Sequence, residues 1–176
     1  MIFQRTKLRG VFEIWLDRRV DDRGFFARAW CQKEFGEHGL NPRLVQCSIS
    51  FNALAGTLRG MHYQAAPFAE CKLVRCTGGA MYDVVLDLRP ESATFKGWIA
   101  VVLTATDRNM IYVPEGCAHG FLTLEDETKV FYQMSEFYNA ESARGVRWDD
   151  PAFGIVWPQP VAVISERRDR NYPDFE

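Results

Sequence analysis

Few residues in this chain combine a reactive side chain with an apolar setting. Of its three histidines, His62 lies in LRGMHYQ and His119 in VPEGCAHGF, while His38 sits among charged residues. Lys72 falls in ECKLVRC and Tyr132 in KVFYQM. A histidine on an apolar strand has three readings: a metal ligand, a general base, or a hydrogen-bonded core residue. Imidazole titrates near neutrality, which suits both catalytic readings. Arg59 stands three residues before His62, so on an unbroken strand the two would face opposite ways. Gly60 between them permits a bulge that would restore a common face.

The metal reading rests on PEGCAH, residues 114–119, which resembles the Pro-x-Gly-x-x-His second metal motif of the cupin superfamily. The matching first motif would supply His-x-His and a nearby Glu. Here that stretch reads His62-Tyr63-Gln64, which places a weak ligand where the second histidine belongs. Lys72 lies close by, and a cation disfavours a divalent ion. The base reading uses the same residues without a metal. Removing a proton from carbon beside a ketone makes an enolate, whose charge needs a cation or donor at the oxygen. Returning a proton to the opposite face needs a separate acid, for which a tyrosine hydroxyl serves. A histidine base, a lysine at the oxygen and a tyrosine acid form a coherent epimerase set.

Short strands must position these groups. LVQCSIS, GTLRGMHYQ, CKLVRCTGG, AMYDVVLDLR, GWIAVVLT, NMIYVPEG, AHGFLTLED and KVFYQMSEFY are strand-length runs, and Gly, Pro, Asp and Asn separate them. KLRGVFEIWLDRRVDDRGFF reads as a strand, an Asp-Asp-Arg-Gly turn and the start of another strand. One modest helix is expected around residues 31–38, stopped by Gly39 and Pro42. In KVFYQMSEFY, Val130, Tyr132, Met134 and Glu136 share one face, so that face could line a cavity apolar at one end and polar at the other. Eight or more such runs predict an all-β fold, a jelly roll of antiparallel strands with few short helices. No repeat or linker divides the sequence, so residues 1–176 are expected to form one domain.

Composition removes other classes. A formal charge of −2 argues against a nucleic-acid partner, because phosphate-backbone binding needs a basic face. No run approaches the roughly 20 apolar residues of a membrane helix, so no membrane partner is expected. The five cysteines form no CxxC pair, and the N-terminal residues carry charges where a leader would be apolar. A cytoplasmic protein with free thiols is expected.

Taken in order, DDRGFF, LVQCSIS, GTLRGMHYQ, AECKLVRCTGGAMYDVVLDLR, YVPEGCAHGF through FYQMSEFY, RWDDPAFGIVWP and ISERRDRNYP resemble the dTDP-4-dehydrorhamnose 3,5-epimerases of the rhamnose pathway. The resemblance implies a cupin jelly roll that works as a homodimer with no metal and no cofactor, its N-terminal strand exchanged with the partner. It implies that His62 is the base, Tyr132 the acid on the opposite face, and Lys72 the cation beside the C4 oxygen. Asp169 would pair with the base histidine, fixing its tautomer and stabilising its protonated form. Arg23 and Arg59 match positions that hold the diphosphate, and a guanidinium fork suits that task. Gln46 and Tyr138 match nucleotide contacts, with Tyr138 as a stacking surface, and His119 and Arg168 match further substrate contacts. The implied substrate is a sugar nucleotide, dTDP-4-dehydro-6-deoxy-D-glucose, inverted at C3 and C5 to dTDP-4-dehydro-L-rhamnose.

Arg28, Ser48 and Ala143 depart from the family pattern at the nucleotide end. ISERRD is one residue longer than the usual spacing between Ser165 and the aspartate. Three alternatives stay open on the residues alone: a related 3-epimerase that inverts one centre, a non-catalytic sugar-nucleotide-binding cupin, and a metal-dependent cupin.

Overall fold

The structure, a computed structural model, describes residues 1–175. The chain begins with β1 (Ile2–Arg5), β2 (Phe12–Trp15), the short pair β3 (Arg19–Asp21) and β4 (Gly24–Phe26), and helix α1 (Gln32–Glu37). Then come β5 (Gln46–Asn52), β6 (Thr57–Gln64), β7 (Lys72–Gly78), β8 (Ala80–Asp87) and β9 (Trp98–Thr104). The remainder is β10 (Met110–Val113), β11 (Cys117–Thr123), β12 (Thr128–Met134), β13 (Ala143–Gly145) and β14 (Val163–Ile164).

Two sheets face each other as an antiparallel jelly roll. One runs β1-β2-β10-β7-β12-β5 and the other β13-β6-β11-β8-β9. The expected strands and the single short helix are present. The sequence reading did not include β1, β13 or β14. β14 pairs with β6 in parallel, on the edge that β13 leaves free, and β3-β4 forms a two-stranded unit outside both sheets.

Apolar residues fill three layers. Between the sheets pack Val74, Cys76, Met81, Val85, Ile111 and Phe121. The outer face of the first sheet carries Phe12, Ile14, Leu73 and Tyr112 beneath Phe35 of α1 and Leu40. The outer face of the second carries Met61, Val84 and Leu86 beneath Val146, Phe153 and Trp157. Central strands are therefore covered on both faces, which is why β10 and β11 are buried throughout, without alternation, even at His119 and Thr123 of β11. Each buried Val, Leu, Ile or Phe contributes roughly 1.5–3 kcal/mol to holding the sheets together.

The five cysteines are free, and Cys71, Cys76 and Cys117 are buried. Burial pushes the Cys117 thiol up to about 12. Among the described residues no helix is long and apolar enough to cross a membrane.

Candidate functional site

The bulge expected at Gly60 is present and has two causes. Pairing of β6 with β11 sets His62 opposite His119 but Arg59 opposite Phe121, so Gly60 and Met61 on one strand answer Gly120 alone on the other. Gly60 has φ +146°, and a Cβ there would lie 2.5 Å from the Cα of Gly120. Only glycine fits, and the extra residue brings Arg59 and His62 onto one cavity.

That cavity has a volume of about 580 Å³ and opens between the sheets. Lys72 reaches it from β7, His119 from β11 and Tyr132 from β12, beside Arg59 and His62 of β6. Tyr138 follows β12, and Arg168 and Asp169 come from the C-terminal segment after β14. Eight residues named from the sequence thus meet on one surface.

Asp169 is carried by a tight turn in which its N–H donates to the Ser165 carbonyl at 3.0 Å. Its Oδ1 lies 2.7 Å from His62 Nε2, and its Oδ2 accepts the Gly60 N–H at 3.4 Å. An ionised Asp169 keeps the imidazole proton on Nε2 and leaves Nδ1 as the free lone pair. The Tyr172 ring stands edge-on to His62 at 6.2 Å between centroids. It occupies the space a side chain at Gly145 would need, and β13 sets Gly145 opposite His62. Burial pushes the Tyr172 phenol up, and Asp169 adds to the shift.

A second histidine–carboxylate pair lies deeper. His119 Nε2 is 2.8 Å from Asp83 Oδ2, both side chains are buried, and Asp83 Oδ1 has no protein partner. Burial pushes the Asp83 carboxyl up, while His119 and Lys72 pull it part of the way back. The His119 ring meets the Tyr132 ring edge-on at 6.1 Å. Burial drives the Tyr132 phenol well above its ordinary range; Asp83 pushes the same way and Arg59 opposes. Tyr132 is therefore a neutral hydroxyl, able to donate a proton, at any working pH.

Lys72 Nζ donates to the His62 carbonyl at 3.2 Å and pairs with Glu70 at 3.2 Å. Arg59 Nε donates to Asn52 Oδ1 at 2.8 Å, which leaves its terminal nitrogens for a ligand.

Two residues named from the sequence do not line this cavity. Gln46 stands beside it, where its Oε1 accepts the Tyr138 N–H at 3.3 Å. Arg23 lies at the exposed β3-β4 turn and pairs with Asp21. Glu136 also departs from expectation. β12 ends at Met134, and Glu136 pairs with Arg43 at 2.8 Å, so the shared face keeps Val130 and Tyr132 in the core between the sheets and Met134, also buried, at the strand end.

Asp83, Glu70 and Tyr172 were not singled out in the sequence. A signal existed for Asp83, because Met81, Asp83 and Val85 share one parity in β8 and a carboxylate on a buried face needs a partner. The residues do not fit the metal centre of other cupins. Gln64 donates to the carbonyls of Phe68 and Phe137 and accepts the Asn139 N–H, so its amide is committed to backbone. His62 and His119 each hold a carboxylate through Nε2, and Lys72 occupies the same cavity.

The model of the dTDP-4-dehydrorhamnose 3,5-epimerase family matches residues 5–176. A protein of that name from Sinorhizobium fredii is 39% identical over 175 residues, which cover 99% of this chain and 90% of that one. The crystal structure of dTDP-4-dehydrorhamnose 3,5-epimerase from Elizabethkingia anophelis superposes with a TM-score of 0.96 at 38% identity, covering 99% of this chain and 96% of the other. The enzyme from Bacillus anthracis, crystallised with TDP and PPi bound, gives a TM-score of 0.93 at 37% identity and covers 99% of both chains. With this sequence match running through a jelly roll whose cavity gathers a His–Asp pair, a lysine and a buried tyrosine, the chain belongs to the dTDP-4-dehydrorhamnose 3,5-epimerase family.

Proposed function

We propose that this protein is an isomerase that inverts dTDP-4-dehydro-6-deoxy-D-glucose at C3 and C5 to give dTDP-4-dehydro-L-rhamnose. The observation that carries the reading is the 2.7 Å His62–Asp169 pair sharing one cavity with Lys72 and Tyr132. His62 Nδ1 takes the proton from a carbon beside the C4 carbonyl. The C–H electron pair moves into the ring as an enolate, and the Lys72 ammonium donates to its oxygen. Tyr132 returns a proton to the opposite face; its phenolate then recovers one from water while the His62 imidazolium releases its own to solvent, which resets both groups for the second centre. Asp169 stabilises the imidazolium formed in the first step. Membership of the 3,5-epimerase family supports the substrate class and the double inversion.

Arg59 would hold the diphosphate, with Tyr138 stacked on the base, Gln46 holding the Tyr138 backbone, and His119 and Arg168 making further substrate contacts. We read residues 1–176 as one domain that works as a cytoplasmic homodimer without metal or cofactor. Exposed Val20 and Phe26 on the β3-β4 unit, and exposed Ile49 and Phe51 on edge strand β5, support a contact between copies. Arg23, at the tip of the protruding unit, would then enter the cavity of the second copy.

The test is the ring configuration of the product by NMR after incubation with dTDP-4-dehydro-6-deoxy-D-glucose. Inversion at C3 and C5 is expected. Inversion at C3 alone would make the protein a monoepimerase, and an unchanged ring on bound nucleotide would make it a binding protein.

A further inference from the structure

Glu70 belongs to the loop between β6 and β7, lines the cavity and has no role in the mechanism above. Its side chain is 11% exposed and that of Lys72 12%, so this is not a solvated surface pair. Two charges withdrawn from water this far persist only when paired and held in geometry. The loop supplies that hold at both ends. Gln64, which ends β6, donates to the Phe68 carbonyl at 2.9 Å. On the other side of Glu70, the Cys71 N–H donates to Ser135 Oγ at 2.8 Å, and the Ser135 N–H returns to the Cys71 carbonyl at 3.1 Å.

We propose that Glu70 is a positioning residue for Lys72. Lysine is a point charge on a flexible four-carbon stem with three donors. Here one side of the ammonium faces Glu70 Oε1 and another faces the His62 carbonyl, each at 3.2 Å. A tetrahedral ammonium fixed in two directions has its third N–H fixed as well, and that is the donor left for the cavity that Lys72 and His62 both line. The His62 carbonyl ties that direction to the strand that carries the base, so oxygen donor and base move as one unit. Such an arrangement acts on charge that develops only in the transition state and so appears in kcat rather than KM. The inference rests on the reading of Lys72 as the donor at the C4 oxygen.

The experiment compares Glu70→Ala, Glu70→Gln and Glu70→Asp with Lys72→Met, using the full chain and dTDP-4-dehydro-6-deoxy-D-glucose. Freeing the ammonium in Glu70→Ala should lower kcat about 10- to 100-fold with KM within about threefold, since small misplacements at a reacting centre cost that much. Glu70→Gln keeps an oxygen at the same reach and should recover most of kcat, whereas the shorter Glu70→Asp should not. Lys72→Met should lose more than any of them. If Glu70→Gln and Glu70→Asp both match the wild-type kcat, or lower melting temperature and kcat to the same extent, Glu70 only holds the loop and the proposal is overturned. If Lys72→Met itself keeps the wild-type kcat, the reading of Lys72 fails instead. The Gln and Asp variants decide the matter even where the alanine variant does not fold.

Discussion

Replacing Asp169 by Asn keeps the size of the side chain and removes its charge, which isolates what the carboxylate does for His62. The pair is short, 2.7 Å, with the Asp169 side chain 4% exposed and the His62 side chain 37% exposed. When His62 takes a proton from carbon, it becomes an imidazolium facing that carboxylate. Two unit charges about 4 Å apart attract by about 4 kcal/mol at an effective dielectric near 20. The open side of His62 lets water screen part of this, which brings the interaction toward the roughly 1.5–3 kcal/mol of a charge-assisted hydrogen bond. Lost from the transition state, that corresponds to a kcat lower by about 10- to 150-fold. The loss is larger if the amide turns its NH₂ toward Nε2, because the ring proton then moves to Nδ1 and the base is blocked. The assay is initial-rate proton exchange on the 4-keto sugar nucleotide, with KM and melting temperature measured alongside. KM should stay within about threefold, since the removed charge acts on an ion formed only during reaction. A variant with the wild-type kcat would refute the assignment of Asp169 as the partner of the base.

Three further outcomes are expected. Tyr132→Phe should lower kcat for epimerisation by about 10²–10⁴-fold with a nearly unchanged melting temperature, and a wild-type rate would remove Tyr132 as the acid. Gly60→Ala should cost about 2–5 kcal/mol, because φ is +146° and the neighbouring atom is backbone; calorimetry should show a roughly 5–15 °C lower melting temperature. Burial alone would raise the Asp87 carboxyl, but hydrogen bonds from Arg89, Ser92 and Thr94 outweigh it and hold the group well below the usual range. Its stabilising effect is therefore present above about pH 4 and fades as pH falls further, so Asp87→Asn should flatten the loss of stability between about pH 4 and 2. Equal slopes for the two proteins in urea titrations would count against that network.

Periodicity made the strands and the inward parity of Val130, Tyr132 and Met134 legible, because a strand with one face on a cavity repeats every two residues. It failed at Glu136, where the strand had already ended and Ser135 turns to the loop before β7. The bulge at Gly60 was legible for a local reason: only glycine tolerates that backbone beside Gly120. Asp169 lies 107 residues from His62, a separation no local pattern spans, and it was named only through likeness to a family. Arg23 was named the same way, yet stands outside the cavity of its own chain. Glu70 was overlooked because its meaning depends on burial beside Lys72, and a Glu two residues from a Lys looks like an ordinary solvated pair.

Double inversion requires His62 to remove protons from both carbons beside the ketone. Mass spectrometry and NMR of the sugar nucleotide after reaction in D2O, with His62→Ala run in parallel, measure this directly. Wild-type protein should place deuterium at C3 and at C5, and His62→Ala should place it at neither while still binding dTDP. Label appearing with His62→Ala at the wild-type rate would show that another group is the base.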